Sequence, residues 1–318
     1  MNRLSKLSLR GRGQPAPATA PELPASAQRQ ISLILDAQPE AAPWLAIMEA
    51  VLREGQNPAW DAVAAAALLP VERAPGAPLL AGARIPLNDV PAQRATLHAW
   101  VSRLLLLASN AGPDALALAR AAQSPRLDAG ALLEAAVNAD DARLAMLADD
   151  LGVEIEPLAA MADLAAMPLL QALRRRFAST AGTHWHEGYC PICGEWPRLA
   201  ELRGLERARR LRCARCGGDW EQPGVRCAFC DATGQGTRTT LISEQDGEAR
   251  KVETCTRCRG YLKVVSTLRA WPGDEVCLAD LATIDLDLAA LERDYERPEA
   301  RGGLAVRVCE SGEGWQRT

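Results

Sequence analysis

The sequence predicts a multidomain α + β protein. An N-terminal all-α helical domain comes first, followed by two small β domains of the zinc-ribbon kind built on metal-binding cysteines, and then a C-terminal helix. Three observations lead there. Alanine and leucine supply much of the 48% apolar content while aromatics make up only 4%, a composition that suits helices better than a β-sandwich. Eight of the ten cysteines lie between Cys190 and Cys258. Apolar periodicity is helical ahead of that cluster and β-like inside it. A chain of 318 residues is also long for one core, so two or more domains are expected.

Residues 1–24 carry Arg3, Lys6, Arg10 and Arg12, then Pro15, Pro17, Pro21 and Pro24 among alanines, and read as a disordered tail. Its basic start has no apolar run behind it, so it is not an export signal. The helical domain is expected over 25–180. Ser26 can cap a helix carrying Ile31, Ile34 and Leu35. A second helix runs from Pro43 to Gly55, and a third, from Pro58 to Leu69, is apolar enough to be buried all round. The proline-rich stretch 70–91 reads as an ordered connection packed on the helices, with a docking loop as the sharper alternative.

The clearest helix is Ala92–Ser109, where Leu97, Trp100, Val101, Leu104, Leu105 and Ala108 recur on one face. His98 stands beside that face as a partly buried structural residue. Further helices fit 114–123, 124–139 with Pro125 at the first position, 140–151 and 158–177. The last ends in Arg174-Arg175-Arg176, where cations suit the helix dipole.

The chemistry sits in 184–275. The cysteines form four pairs of equal spacing, Cys190/Cys193, Cys213/Cys216, Cys227/Cys230 and Cys255/Cys258. Two residues between cysteines let one turn aim both sulfurs at one ion, and two such turns complete a four-thiolate tetrahedron. Gly194, Gly217, Asp231 and Gly260 follow their pairs, where the chain must turn tightly and a positive φ is easiest. A disulfide scaffold belongs to short secreted chains. A thioredoxin-like redox pair would need a βαβ setting and would explain one pair only.

Pairing follows from the intervening text. Trp196–Leu202 turns near Gly204 and returns through Arg209–Arg212. Thr237–Ser243 turns at Asp246-Gly247 and returns through Lys251–Thr254. Each hairpin joins its own two knuckles. Cys190, Cys193, Cys213 and Cys216 are therefore assigned to one metal in a ribbon over 184–226, and Cys227, Cys230, Cys255 and Cys258 to a second in a ribbon over 227–275. Interleaved pairing across the short Cys216–Cys227 link is the alternative.

His184 and His186 are surplus to two complete four-cysteine sites, and Trp185 between them is expected to pack the ribbons on the helices. Seven arginines between Arg198 and Arg215 taken alone suggest a nucleic-acid surface. Residues 184–270, however, carry 15 Lys/Arg against 11 Asp/Glu, a difference of +4. Two divalent ions in four-thiolate cages at −2 each bring that to about zero. Nucleic-acid binding is a runner-up only, and arginines beside the cages are expected as their charge partners.

Leu278–Tyr295 then reads as a helix within 276–297, with Leu281, Ile284, Leu288 and Leu291 inward and Asp280, Asp285, Asp287 and Glu292 outward. Residues 298–318, with Cys309, read as a loose tail, and Cys277 as a core thiol. No apolar run is long enough to span a membrane, and reduced cysteines with no export signal point to the cytoplasm. No nucleophile–base set is visible, so no catalytic residues are assigned.

These motifs in combination resemble the FdhE family of formate dehydrogenase accessory proteins. The carriers are Cys-Pro-x-Cys-Gly at Cys190–Gly194, Leu-x-Cys-x-x-Cys-x-x-x-Trp at Leu211–Trp220, Cys-x-x-Cys-x-Gly-Tyr-Leu-Lys at Cys255–Lys263 and Asp-Leu-Ala at Asp280–Ala282. The resemblance covers about 185–297. It implies two rubredoxin-like sites associated with iron, which such cages can exchange for zinc. It also implies a non-catalytic, chaperone-like maturation factor that binds the catalytic, molybdopterin-containing subunit of respiratory formate dehydrogenase. A rubredoxin-like electron-transfer role in that maturation is the alternative.

Overall fold

The structure is a computed structural model, and the described residues are 21–308 apart from 88–90, 111–113, 181–184, 235 and 244–246. Residues 1–20 of the expected tail, His184, Asp246 and Cys309 lie outside them. Among the described residues eight α-helices come first: α1 (Ala25–Ala37), α2 (Ala42–Gly55), α3 (Pro58–Ala66), α4 (Pro91–Ala108), α5 (Ala115–Ala122), α6 (Ala129–Asn138), α7 (Asp141–Leu151) and α8 (Ile155–Phe177). Helix α8 is the hub. Its middle, from Leu158 to Leu173, is mostly buried because α2, α3, α4, α6 and α7 all pack on it. Trp100 in α4 donates its indole N–H to the Ala165 carbonyl of α8 at 3.0 Å. The six apolar positions read on α4 are all buried as expected.

Several local expectations change. Ser26 does not cap α1: it lies within the helix, and its hydroxyl donates to Glu275 at 2.5 Å. Leu23, placed in the tail, is buried. Helix α3 is one-sided, with Trp60, Val63 and Ala64 buried and Ala62, Ala65 and Ala66 exposed; alanine costs little to leave in water. His98 is exposed, 3.3 Å from the Ser102 hydroxyl. Helix α6 begins at Ala129, because Asp128 caps it by accepting from the Ala131 N–H at 2.9 Å.

The connection from 70 to 87 is ordered, with Leu79, Leu80, Ile85 and Leu87 buried. Its short strand β1 (Arg84–Ile85) pairs in parallel with β8 (Arg307–Val308) near the chain's end. The stretch 298–308 is therefore not loose. Leu304 and Val306 are buried, and the Val306 carbonyl and N–H both bond the Asn138 side chain at the end of α6.

The two ribbons do not stand apart. Strands β2 (Leu199–Arg203), β3 (Ala208–Arg212) and β4 (Asp219–Glu221) of the first join β5 (Arg238–Ile242), β6 (Arg250–Cys255) and β7 (Tyr261–Thr267) of the second in one six-stranded sheet of order β4-β3-β2-β7-β6-β5. The seam is a parallel pairing of β2 with β7, Leu199 opposite Lys263. Alternation splits the sheet. Ala200, Leu202, Leu211, Leu262 and Val264 join the core of the helical half, while Val252 and Tyr261 face Leu286, Ala290 and Tyr295.

The expected C-terminal helix is broken into α9 (Val276–Leu281) and α10 (Ile284–Leu291); Leu281 packs on the core and Asp285 and Glu292 are exposed as expected, but the remaining face positions are exchanged. Ile284, Leu288 and Leu291 are 42%, 56% and 50% exposed. Asp280 and Asp287 point inward instead, because Lys263 on β7 is fully buried and needs them: its Nζ lies 2.6 Å from Asp280 and 2.7 Å from Asp287. A buried cation outranks three leucine-sized contacts in deciding which face turns in.

Candidate metal centres

Each Cys-x-x-Cys pair sits on a tight turn closed by a bond from the first cysteine's N–H to the carbonyl five residues on. In the first pair the Cys190 N–H donates to Glu195 O at 2.8 Å and the Gly194 N–H to Cys190 O at 3.0 Å. The same two bonds recur as Cys213→Gly218 and Gly217→Cys213, and as Cys227→Ala232 and Asp231→Cys227. The residue directly after each pair has positive φ: Gly194 (72°), Gly217 (76°), Asp231 (61°) and Arg259 (60°). In the fourth turn this is Arg259 and not the expected Gly260, and Arg259 is held there by donating to the Arg293 and Asp294 carbonyls. Gly260 has another reason to be glycine, since a Cβ there would lie 2.7 Å from the Phe229 ring.

The four turns bring the thiols together sequentially. Cys190, Cys193, Cys213 and Cys216 form one group and Cys227, Cys230, Cys255 and Cys258 another, the sulfurs of each lying within 4.8 Å of one another. The interleaved grouping is not adopted. A tetrahedral ion with metal–sulfur bonds of about 2.3 Å has sulfur–sulfur edges of about 3.8 Å. Cys227–Cys258 and Cys230–Cys255 are 3.7 Å apart, and Cys190–Cys216 and Cys193–Cys213 are 3.5 Å apart. The donor set and its spacing fit such an ion at both places.

Electrostatics agree. Burial pushes the Cys190 thiol well up, whereas hydrogen bonds from Cys190, Cys193 and Cys216 hold Cys213 well down. The buried group by itself therefore shares protons, and four thiolates there need a cation. In the second group burial pushes Cys227 up to about 11. Burial also opposes ionisation of Cys255, but the N–H groups of Cys258 and Arg257 outweigh it and bring this thiol down to about 7.

The first group is embedded. All four of its cysteines belong to the main core. The 70–87 connection caps the first turn, with Leu79 N–H donating to Pro191 O at 2.8 Å and Leu80 N–H to Ile192 O at 3.0 Å. Arg215, inside the second turn, reaches the helical half: its Nη2 donates to Ala136 O at 2.8 Å and to Asp163 at 3.1 Å, and its Nη1 lies 3.3 Å from Glu195. An edge-to-face run of aromatics, Trp185–Tyr189–Trp196–Phe229 with centroids 5.4, 6.0 and 5.5 Å apart, leads from the first turn to the third. Trp185 meets the helical core as expected.

Carboxylates take up most of the first ribbon's arginines. Arg203, Arg207, Arg209, Arg210 and Arg212 pair with Glu201, Glu248, Glu253 and Asp219 on and beside the sheet, Arg215 lies against the first thiol group, and Arg209, Arg226 and Arg238 line a cleft with Cys227 and Cys255. Arg174 and Arg175, expected as a solvated helix end, bind Asp274 instead. Sequence reasoning missed the group behind β7. There Arg297 sits 2.6 Å from Asp287, and Tyr261 donates to Asp287 at 2.8 Å, completing the surroundings of Lys263. The available signal was a lysine inside the apolar run 261–265, facing two aspartates seven positions apart.

Residues 225–301 match the family model described as FdhE, C-terminal domain. An FdhE homolog of Stutzerimonas stutzeri is 35% identical over 34% of this chain and 35% of its own length. The protein FdhE of Escherichia coli is 32% identical over 34% of this chain and 35% of its own. The matched region thus spans about a third of these relatives. The crystal structure of the FdhE protein from Pseudomonas aeruginosa has a TM-score of 0.49 and 20% identity over 88% of this chain and 95% of that one. As the motifs led us to expect, residues 225–301 are similar to the C-terminal domain of the FdhE family.

Proposed function

We propose that this chain is a non-catalytic accessory factor for formate dehydrogenase, acting in the cytoplasm on the catalytic, molybdopterin-containing subunit. The observation that carries this reading is the coincidence of the FdhE domain match with the second of two four-thiol groups in the same residues. Cys190, Cys193, Cys213 and Cys216 hold one metal ion, iron or zinc, and Cys227, Cys230, Cys255 and Cys258 hold the other. When bound, each ion supplies a tetrahedral cross-link that fixes two turns, and much of the ribbon's folding free energy comes with it. Four thiolates complete the coordination, so neither ion offers a position for substrate.

The chain's own residues do the rest. Arg215 and the 70–87 connection lock the first ribbon to the helices, and the β2–β7 seam carries the second. Among the described residues no helix is long and apolar enough to cross a membrane. The paired arginines argue against a phosphate-binding surface, which would need free cations.

The test is genetic and biochemical. Cells lacking this protein should lose formate dehydrogenase activity and regain it with the intact chain. The tagged chain should retain the catalytic subunit on purification. Full formate dehydrogenase activity in the deletion strain, with no retained subunit, contradicts the reading.

A further inference from the structure

The two thiol groups differ in a way their shared spacing hides. The first is enclosed: Cys190, Cys193, Cys213 and Cys216 are 0%, 2%, 0% and 0% exposed, and they belong to the same core as α8. Three separate elements cover it, namely the 70–87 connection, the Arg215 clamp to α6 and α8, and residue 273. Gly217 packs so closely on Gly273 that a Cβ would lie 2.4 Å from its carbonyl oxygen.

The second group is peripheral. Cys227 and Cys255 form a satellite cluster with Ala232, Phe229 and Cys230, touching the main core through Phe229 and Ala228 while both cysteines stay outside it. Cys230 is half-buried and Cys258 is exposed, in the exposed run Thr256–Arg259. Beside it an open cleft of about 480 Å³ is lined by Cys227, Cys230, Phe229, Trp196 and Arg301.

We propose that the two sites have divided roles: the first is a permanent staple of the fold, and the second is an exchange site that loads and gives up its metal ion while the fold stands. This rests on the metal-binding reading above. A competing ligand can take an ion from a thiolate cage only by reaching it. At the second site the open side at Cys258 and Cys230 gives that access directly. At the first site access requires opening of the shared core, which is a global event. In the exchange the competing ligand forms bonds to the ion as the four metal–sulfur bonds break, and the thiolates take up protons from water as their pH demands. No oxidation state changes. Loss of the second ion loosens the satellite cluster, the β5–β6 hairpin and the third turn where Ala228 and Phe229 touch the main core, while β2, β7 and the helical half keep their own pairing and packing.

The experiment uses the full chain loaded with zinc and challenged with the chelator 4-(2-pyridylazo)resorcinol. The chelator's colour follows release, while timed iodoacetamide labelling and peptide mass spectrometry report which thiols become free. The expected result is two phases of one equivalent each, the first about tenfold or more faster. Cys227, Cys230, Cys255 and Cys258 should label with the fast phase, and Cys190, Cys193, Cys213 and Cys216 should stay protected until the slow one. Helical circular dichroism should be unchanged after the fast phase.

Release of both equivalents at one rate, or labelling of the first group ahead of the second, overturns the division of roles while leaving two metal sites intact. A chain that takes up no zinc overturns the metal reading itself. No cysteine variant is needed, so failure to fold cannot stand in for an answer.

Discussion

Lys263 places its ammonium 2.7 Å from the Asp287 carboxylate, and that contact decides how the C-terminal helices lie on the sheet. Lys263 follows the fourth cysteine turn by five positions, and Asp287 belongs to α10. The pair therefore fastens the second ribbon to the helices behind it. Replacing Lys263 by Ala removes the fully buried cation of this cluster and leaves Arg297 alone facing Asp280 and Asp287. Breaking a buried pair from one side costs about 3–5 kcal/mol. Urea unfolding of K263A should show a loss of that order, and a midpoint within error of the parent would show that the contact is not structural.

The same cluster sets a pH dependence. Burial alone would raise the Asp287 pKa, but Arg297 and then Lys263 outweigh it and hold the group below the ordinary value. A carboxylate lowered in the folded state contributes stability that is complete above its unfolded value, about 3.9. That contribution is lost as pH falls through the lower folded value. Stability should therefore decline below about pH 4, and D287N should flatten that part of the curve. An unchanged slope in D287N would assign the acid sensitivity to other groups.

Arg215 is the equivalent fastening for the first ribbon, joining a cysteine turn to Ala136 and Asp163. R215A should lose about 3 kcal/mol. Limited proteolysis should then cut between the helical half and the ribbon, around 178–188, faster than in the parent. Equal cutting rates would show that the 70–87 connection suffices to hold the two together.

Gly217 combines a φ of 76° with a carbonyl oxygen 2.4 Å from where a Cβ would stand. Left-handed strain costs about 1 kcal/mol, and the displaced Gly273 backbone adds about 1–3 more. G217A should be markedly less stable, whereas the substitution G204A should cost only the strain, because nothing lies within 4 Å of its Cβ position. Equal losses in the two would show that contact with Gly273 is not what the position requires.

Much of this was legible in the sequence because the signals were local. The face of α4 follows from its 3.6-residue spacing, and the grouping of the thiols follows from hairpins whose ends must meet. What could not be read was long-range pairing. The β2–β7 seam joins residues about sixty positions apart with no turn to announce it. The inward aspartates of α9 and α10 answer a lysine on another element, so hydrophobic periodicity alone misplaced Asp280 and Asp287 together with Ile284, Leu288 and Leu291. The arginines looked like a ligand surface because their carboxylate partners are scattered from Asp163 to Glu253. Arg259 shows that even a strong turn rule can be satisfied one residue early when backbone carbonyls hold the strained residue in place.

Whether two four-thiolate sites hold metal is decided by metal content, measured by mass spectrometry on the full chain purified under anaerobic conditions, together with C190A and C255A. Two equivalents of iron or zinc are expected per parent chain and one in each variant, with C255A keeping its helical half folded. A parent chain holding no metal, or variants that keep both equivalents, would contradict the two-site reading.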